Sequence, residues 1–162
     1  MSEPSPNGPI ERPTRFPWPP VLLIFAVAGA WILQAWVPLS WPGADDLAAR
    51  IIGLGLGVAG LALLVWSAMT LRRAQTTILP HAGASVLVTD GPFRFRRNPI
   101  YLADILILLG LAELTKNIWI VILTPVFAVL VTRLAILPEE RHLESRFGDA
   151  YRAYKERTRR LI

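Results

Sequence analysis

Residues 100–137 read IYLADILILLGLAELTKNIWIVILTPVFAVLVTRLAIL. This stretch holds two apolar blocks, Ile100–Leu114 and Ile118–Leu137, and only three residues, TKN at positions 115–117, separate them. A helix of about 20 apolar residues crosses a bilayer, so the second block is long enough and the first is short. We expect the two blocks to form a tight antiparallel hairpin of membrane helices.

Two further apolar blocks, Val21–Val37 and Ile51–Leu71, precede this hairpin. Pro38 closes the first of them, and Asp45 or Asp46 is placed to cap the helix of the second. The first block lacks a basic leader and a small-residue cleavage site, so we do not expect a cleavable signal peptide. The sequence therefore predicts an all-α integral membrane protein with about four transmembrane helices.

The apolar blocks also divide the chain into regions. Residues 1–20 are rich in proline and polar groups, which predicts a disordered N-terminal lead. Residues 21–162 are expected to form a single membrane domain, with transmembrane helices one and two in residues 21–75. Residues 76–162 hold the last two helices and the polar segments beside them, ending in a cytosolic amphipathic helix.

The composition excludes several classes of protein. Of the 162 residues, 53% are hydrophobic and 18% charged, which is too apolar for an ordinary soluble domain. Cysteine is absent and His81 and His142 are the only histidines, so we expect no disulfide, no thiol nucleophile and no metal site. The net charge of +5 fits loops that face anionic lipid. Basic and aromatic residues do not interleave on a soluble segment, so no nucleic-acid partner is expected.

The basic residues predict the orientation in the membrane. Three segments, before the first block, between the second and third, and after the fourth, hold fourteen of them: Arg12, Arg15, Arg72, Arg73, Arg94, Arg96, Arg97, Arg141, Arg146, Arg152, Lys155, Arg157, Arg159 and Arg160. The opposite side holds only Arg50 and Lys116. The positive-inside rule then places both termini and the long loop in the cytoplasm, in a multi-pass protein of the cytoplasmic membrane.

Small residues in the second block predict a close helix contact. Gly53 and Gly57 form a GxxxG pair, a spacing that lets another helix approach closely. One interpretation is packing within the chain against block one or block four. The other is a homodimer through Gly53 and Gly57.

The long loop and the C-terminal segment carry the polar motifs. Residues 87–102 read LVTDGPFRFRRNPIYL, and residues 138–160 read PEERHLESRFGDAYRAYKERTRR. Gly91 and the following proline predict a turn, and Pro99 is placed to open a helix. Basic anchors and a helix start would explain the first motif alone. Paired acids at the end of a spanning helix, opposite an arginine-rich loop, instead suggest a polar pocket at the interface.

These two strings, in this order and at this spacing, resemble the signature of the isoprenylcysteine carboxyl methyltransferase and phospholipid methyltransferase superfamily. The pattern is roughly LVTxGxYxxxRHPxYxG, a hydrophobic hairpin, then EExxLxxxFGxxYxxYxxR. The resemblance covers residues 76–160. Asn98 stands where the histidine of RHP is usual, a variant typical of bacterial members, and Phe93 stands where tyrosine is usual.

The resemblance implies an S-adenosylmethionine site formed from both sides of the hairpin. It implies that the cofactor is lined by Leu87, Val88, Gly91, Phe93, Asn98, Pro99, Ile100, Tyr101, Glu139, Glu140, Tyr151 and Tyr154. Glu139 would bind the α-amino group, and Arg94 or Arg97 could meet the carboxylate. The resemblance also implies catalytic roles for Arg97, Asn98 and Glu139.

The resemblance leaves the methyl acceptor open. The isoprenylcysteine enzymes carry a substrate-binding arginine where this chain has Ala135, and the nearest arginine, Arg133, is the candidate here. We expect methyl transfer to a lipophilic or membrane-embedded acceptor, either an isoprenylcysteine carboxylate-like or another small lipid-like or lipidated molecule. The alternatives are an NADPH-dependent membrane reductase of the sterol reductase type and a non-enzymatic membrane scaffold.

Overall fold

The computed structural model describes residues 17–75 and 86–161, and within them the secondary structure is α-helical. The six helices are α1 (Trp18–Trp36), α2 (Leu47–Arg73), α3 (Pro99–Thr115), α4 (Ile118–Val131), α5 (Leu137–Phe147) and α6 (Asp149–Arg157). A short 3₁₀ helix, Gly91–Arg94, precedes α3, and a π-helical segment, Thr132–Ile136, joins α4 to α5. The all-α prediction is confirmed. Most of the predicted N-terminal lead and residues 76–85 lie outside the described residues.

Among the residues that the structure describes, three helices are long and apolar enough to cross a membrane: α1, α2 and the continuous helix Ile118–Phe147. Large apolar side chains on the outer faces of α1 and α2, such as Phe25 and Ile52, are exposed, as a lipid-facing surface requires. The prediction of a helical integral membrane protein is therefore confirmed. Helix α3 is about 25 Å long at 1.5 Å per residue, short of the roughly 30 Å of a hydrocarbon core, so four spans stay a prediction.

The starts of α1 and α2 follow from local chemistry. The Asp46 side chain accepts a 2.8 Å hydrogen bond from the backbone N–H of Ala49, which confirms the predicted cap of α2. Helix α1 begins at Trp18, earlier than the apolar block, with two prolines in its first turn. The first helical N–H groups lack partners anyway, so proline loses nothing there.

Helix α2 packs closely on α3 along its glycines. A Cβ on Gly60 would lie 2.8 Å from the Ala103 carbonyl oxygen, and a Cβ on Gly110 would lie 2.6 Å from the Gly57 Cα. The predicted close contact exists, but its partner is α3 and not block one or block four. A homodimer through Gly53 and Gly57 stays a prediction, and it would have to displace α3.

Helices α3 and α4 are joined by Lys116 and Asn117 and pack against each other. Asn117 is buried, accepts a 3.0 Å hydrogen bond from the Trp119 N–H, and donates one of 3.3 Å to the Ala30 carbonyl of α1. The apolar core lies between these three helices and includes Leu108, Ile120, Phe127 and Val131. This core packs α3 and α4 side by side.

The π-helical segment allows the helix to continue through Pro138 into α5. Proline has no N–H, and its ring would press on the carbonyl four residues earlier in a regular α-helix. Here the Leu137 N–H instead donates to the Thr132 carbonyl, five residues back, and the helix continues. Gly148, with φ of 53°, then separates α5 from α6, so the predicted C-terminal helix is in two pieces.

Candidate cofactor site

The loop that precedes α3 is held against α2 and α6. Gly91 adopts φ of 57°, and any side chain there would lie 2.7 Å from the Thr70 hydroxyl of α2. The Tyr154 hydroxyl donates a 2.6 Å hydrogen bond to the Phe93 carbonyl, which docks α6 on the 3₁₀ helix. Leu87 and Val88 are half-buried in the same segment. The first motif and the C-terminal motif therefore meet in space.

Arg97 fastens the loop to α5 and to the C-terminal end of the chain. Its Nε donates to Glu140 Oε1 at 3.1 Å, and the two side chains are only 9% and 6% exposed. Its Nη1 donates to the Lys155 and Thr158 carbonyls, and its backbone N–H donates to the Arg159 carbonyl at 2.9 Å. Every one of these contacts joins chain segments more than 40 residues apart, so Arg97 holds the loop, α5 and the C-terminal segment together.

Glu140 also forms an ion pair with a second arginine, Arg160, near the C-terminal end of the chain. Arg160 Nη2 lies 2.8 Å and Arg160 Nε 3.0 Å from Glu140 Oε2, in addition to the contact with Arg97. The Arg160 carbonyl in turn accepts from the Asn98 side chain at 3.2 Å, and Asn98 is buried. Both oxygens of the Glu140 carboxylate are thus occupied within the protein. This acid was expected in the cofactor wall, and the structure makes it the centre of an ion-pair network.

Glu139, the neighbouring acid, has a different environment. It is half-buried, and the Tyr101 hydroxyl donates to its Oε2 at 3.2 Å. Within residues 17–75 and 86–161 this carboxylate has no other hydrogen bond and no ion pair. Successive residues of an α-helix point about 100° apart, so the two acids face different surroundings. Glu139 retains acceptor positions for a ligand.

Two buried tyrosines of α6 complete the cluster. The Tyr151 and Tyr154 rings lie 6.0 Å apart and are tilted by 60°. Burial raises the pKa of Tyr151, and it raises the pKa of Tyr154 to about 12, so both are neutral near pH 7. The Tyr151 hydroxyl interacts electrostatically with Arg97, Glu139 and Glu140, yet it has no hydrogen-bond partner in the described part of the chain. A buried hydroxyl of this kind is a group that a bound ligand can satisfy.

The structure brings together most of the residues that sequence singled out: Phe93, Arg97, Asn98, Pro99, Tyr101, Glu139, Glu140, Tyr151 and Tyr154. Ile100 lies in the first turn of α3, beside this cluster. Arg133 does not join it: it is exposed on the π-helical segment and forms no ion pair with the described residues. Arg94 is exposed at the end of the 3₁₀ helix.

Sequence reasoning missed Arg160 and Asp104. Arg160 was one basic residue among many near the C-terminus, and nothing in the local pattern marks it as the partner of Glu140. Asp104 is an acid inside an apolar block, and it is only 7% exposed. An ionisable residue within a membrane helix is rare, so that position alone was a signal.

Two known proteins resemble the chain. The nickel-cobalt-cadmium resistance protein NccN of Alcaligenes xylosoxydans xylosoxydans is 28% identical over 120 residues, 74% of this chain. The chain spans about half the length of that protein. An uncharacterized protein of Haemophilus influenzae is 38% identical over 65 residues, which are 39% of this chain and the whole of that protein. No solved structure matches.

The family comparison covers the first polar motif and the first part of the second. A model of one protein family, the phospholipid methyltransferases, matches residues 48–150. The match includes nearly all of α2, the arginine-rich loop, α3, α4 and the paired acids of α5, whereas Tyr151, Tyr154 and Arg160 of the cluster lie beyond its end. Since it extends over more than half of the sequence, the chain belongs to the phospholipid methyltransferase family.

Proposed function

We propose that this protein transfers a methyl group from S-adenosylmethionine to a lipophilic or membrane-embedded acceptor. The observation that carries the proposal is the contrast between the two adjacent acids. Glu140 is enclosed by Arg97 and Arg160, whereas Glu139 has a single partner among the described residues, the Tyr101 hydroxyl. A carboxylate with vacant acceptor positions, half-buried beside aromatic rings, suits a ligand that carries an ammonium group.

The residues of the cluster fit the chemical groups of S-adenosylmethionine. Its ammonium would meet Glu139, and its sulfonium and adenine would lie against the Phe93, Tyr151 and Tyr154 rings. The Tyr151 hydroxyl would gain the hydrogen bond that it lacks among the described residues. Arg97 is already committed to Glu140, so exposed Arg94 is the better candidate for the ligand carboxylate.

The protein would promote methyl transfer mainly by positioning the two reactants and excluding water from the site. The cofactor supplies an activated methyl group, and transfer is an in-line displacement that depends on how the two reactants are oriented. Arg97 and Asn98 would act as positioning residues, because both bind the C-terminal segment rather than an open pocket. Helices α5 and α6 would close the cytoplasmic side of the site.

The acceptor would enter from the bilayer. Exposed Arg133 lies on the helix that runs from the membrane into α5, where a polar group of a lipid-like substrate could reach it. Arg96 and Arg159 pair through their backbones, so the arginine-rich segment before α3 lies beside the C-terminal segment. We place both segments in the cytoplasm. The family match favours methyl transfer, and none of the similarities supports the reductase alternative.

A thermal-shift experiment on the detergent-purified full chain separates these possibilities. S-adenosylhomocysteine, the product form of the cofactor, should raise the melting temperature by mass action on the folded state, and NADPH should not. A shift with NADPH alone would indicate a reductase. The absence of a shift with either compound would favour the non-enzymatic scaffold.

A further inference from the structure

Helix α3 contains a buried acid, Asp104, that has no role in the proposed cofactor site. Asp104 is 7% exposed and lies one helical turn from Tyr101 and one turn before Leu108 of the apolar core. It is five residues along α3 from Pro99, roughly 7.5 Å along the axis at 1.5 Å per residue. The carboxylate therefore lies one turn further along α3 than Tyr101, whose hydroxyl binds Glu139, and on the inner side of the helix bundle.

No protein group in the described ranges 17–75 and 86–161 hydrogen-bonds or ion-pairs with Asp104. The other acid of α3 makes a useful comparison: Glu113, near the opposite end of the helix, is paired with Lys116. Asp104 interacts electrostatically with Tyr101, whose hydroxyl binds Glu139. A buried acid without a compensating partner is costly, and in a membrane helix it marks a functional position.

We propose that Asp104 binds the polar head of the methyl acceptor and that this head is a hydrogen-bond donor, an amine or a hydroxyl, rather than a carboxylate. The inference rests on the proposed function, since it places the acceptor beside the cofactor site. A carboxylate accepts hydrogen bonds and attracts cations, so Asp104 would hold an N–H or O–H group and repel an anionic head. The position of Asp104 within α3 suits an acceptor whose apolar part remains among the membrane helices.

This arrangement also supplies the base that an amine or hydroxyl acceptor needs. The lone pair of the acceptor nitrogen or oxygen forms the new bond to the methyl carbon. The bond from that carbon to the sulfonium sulfur breaks, and its electron pair stays on sulfur. The proton of the acceptor passes to an Asp104 carboxylate oxygen, which leaves a neutral methylated head. Asp104 would thus be a catalytic residue.

The test compares twelve-carbon amphiphiles in binding to the full chain in zwitterionic nanodiscs saturated with S-adenosylhomocysteine, with empty nanodiscs as blank. Wild type should bind dodecylammonium, dodecanol or both at least about tenfold more tightly than dodecanoate. The stronger of the two donors would distinguish an amine from a hydroxyl acceptor. Asp104→Asn should lose this preference and still bind S-adenosylhomocysteine. Glu113→Gln, the acid at the other end of α3, should keep both properties.

Three outcomes would overturn the proposal. Equal or tighter binding of dodecanoate by wild type is the first, and a preference that persists in Asp104→Asn is the second. Loss of S-adenosylhomocysteine binding in Asp104→Asn is the third, because it would assign the residue to the cofactor site or the fold. If wild type itself fails to bind S-adenosylhomocysteine, the proposed function fails, and the acceptor proposal fails with it.

Discussion

Arg97 Nε lies 3.1 Å from Glu140 Oε1, and both side chains are more than nine-tenths buried. The two residues are 43 positions apart, on opposite sides of the α3–α4 connection. This ion pair, extended by Arg160, ties the loop, α5 and the C-terminal end together. Glu139, the neighbouring acid, takes no part in this network and accepts a hydrogen bond from the Tyr101 hydroxyl.

The first prediction concerns this network. Glu140→Gln should lower the free energy of unfolding of the apo protein by about 3 kcal/mol, because it leaves buried Arg97 without its counter-ion. The melting temperature in detergent measures the effect. Glu144→Gln, which breaks the more exposed pair with Lys155, should cost less than about 1 kcal/mol. Equal stability of the two variants would contradict the structural role of Glu140.

Features of the fold that depend on nearby residues could be predicted from the sequence. The Asp46 cap, the apolar helices and the meeting of the two polar motifs followed from residue type and spacing. The partner of the α2 glycines did not, because a GxxxG spacing indicates close approach without naming the helix that approaches. The different roles of Glu139 and Glu140 could not be predicted from the sequence either. The rotation of α5 about its axis determines which of the two acids forms ion pairs with Arg97 and Arg160.

A second prediction tests the contact between α2 and α3. Gly110→Ala should destabilise the fold by about 1–3 kcal/mol, because its Cβ would lie 2.6 Å from the Gly57 Cα and the helices would have to separate. The matched control is Gly55→Ala, whose Cβ meets nothing within 4 Å. Both variants are compared by thermal unfolding in the same detergent. A tolerated Gly110→Ala would mean that the two helices do not pack as described.

The third prediction separates the two tyrosines of α6. Tyr154→Phe should destabilise the apo protein by about 1–3 kcal/mol, because the Phe93 carbonyl loses its donor. Tyr151→Phe should leave apo stability near wild type, since its hydroxyl has no partner among the described residues. Isothermal titration should nevertheless show weaker S-adenosylhomocysteine binding by Tyr151→Phe. Unchanged binding would remove Tyr151 from the proposed cofactor wall.

A fourth prediction concerns topology. Fourteen of the basic residues lie in segments that we place in the cytoplasm and two on the other side, so reporter fusions at both termini should report cytoplasmic locations. The 17 residues of α3 must then cross the membrane despite their length. Termini on opposite sides would show an odd number of spans.

The most direct test of the proposed site is calorimetric titration of S-adenosylhomocysteine into purified wild type, Glu139→Gln and Glu144→Gln. Replacing Glu139 by glutamine keeps its shape and removes its charge, so the dissociation constant should rise about tenfold or more while apo stability stays near wild type. Glu144, on the same helix, is paired with Lys155, so Glu144→Gln should bind as wild type does. Wild-type affinity in Glu139→Gln would contradict the assignment of Glu139 to the cofactor ammonium, as would a variant that fails to fold.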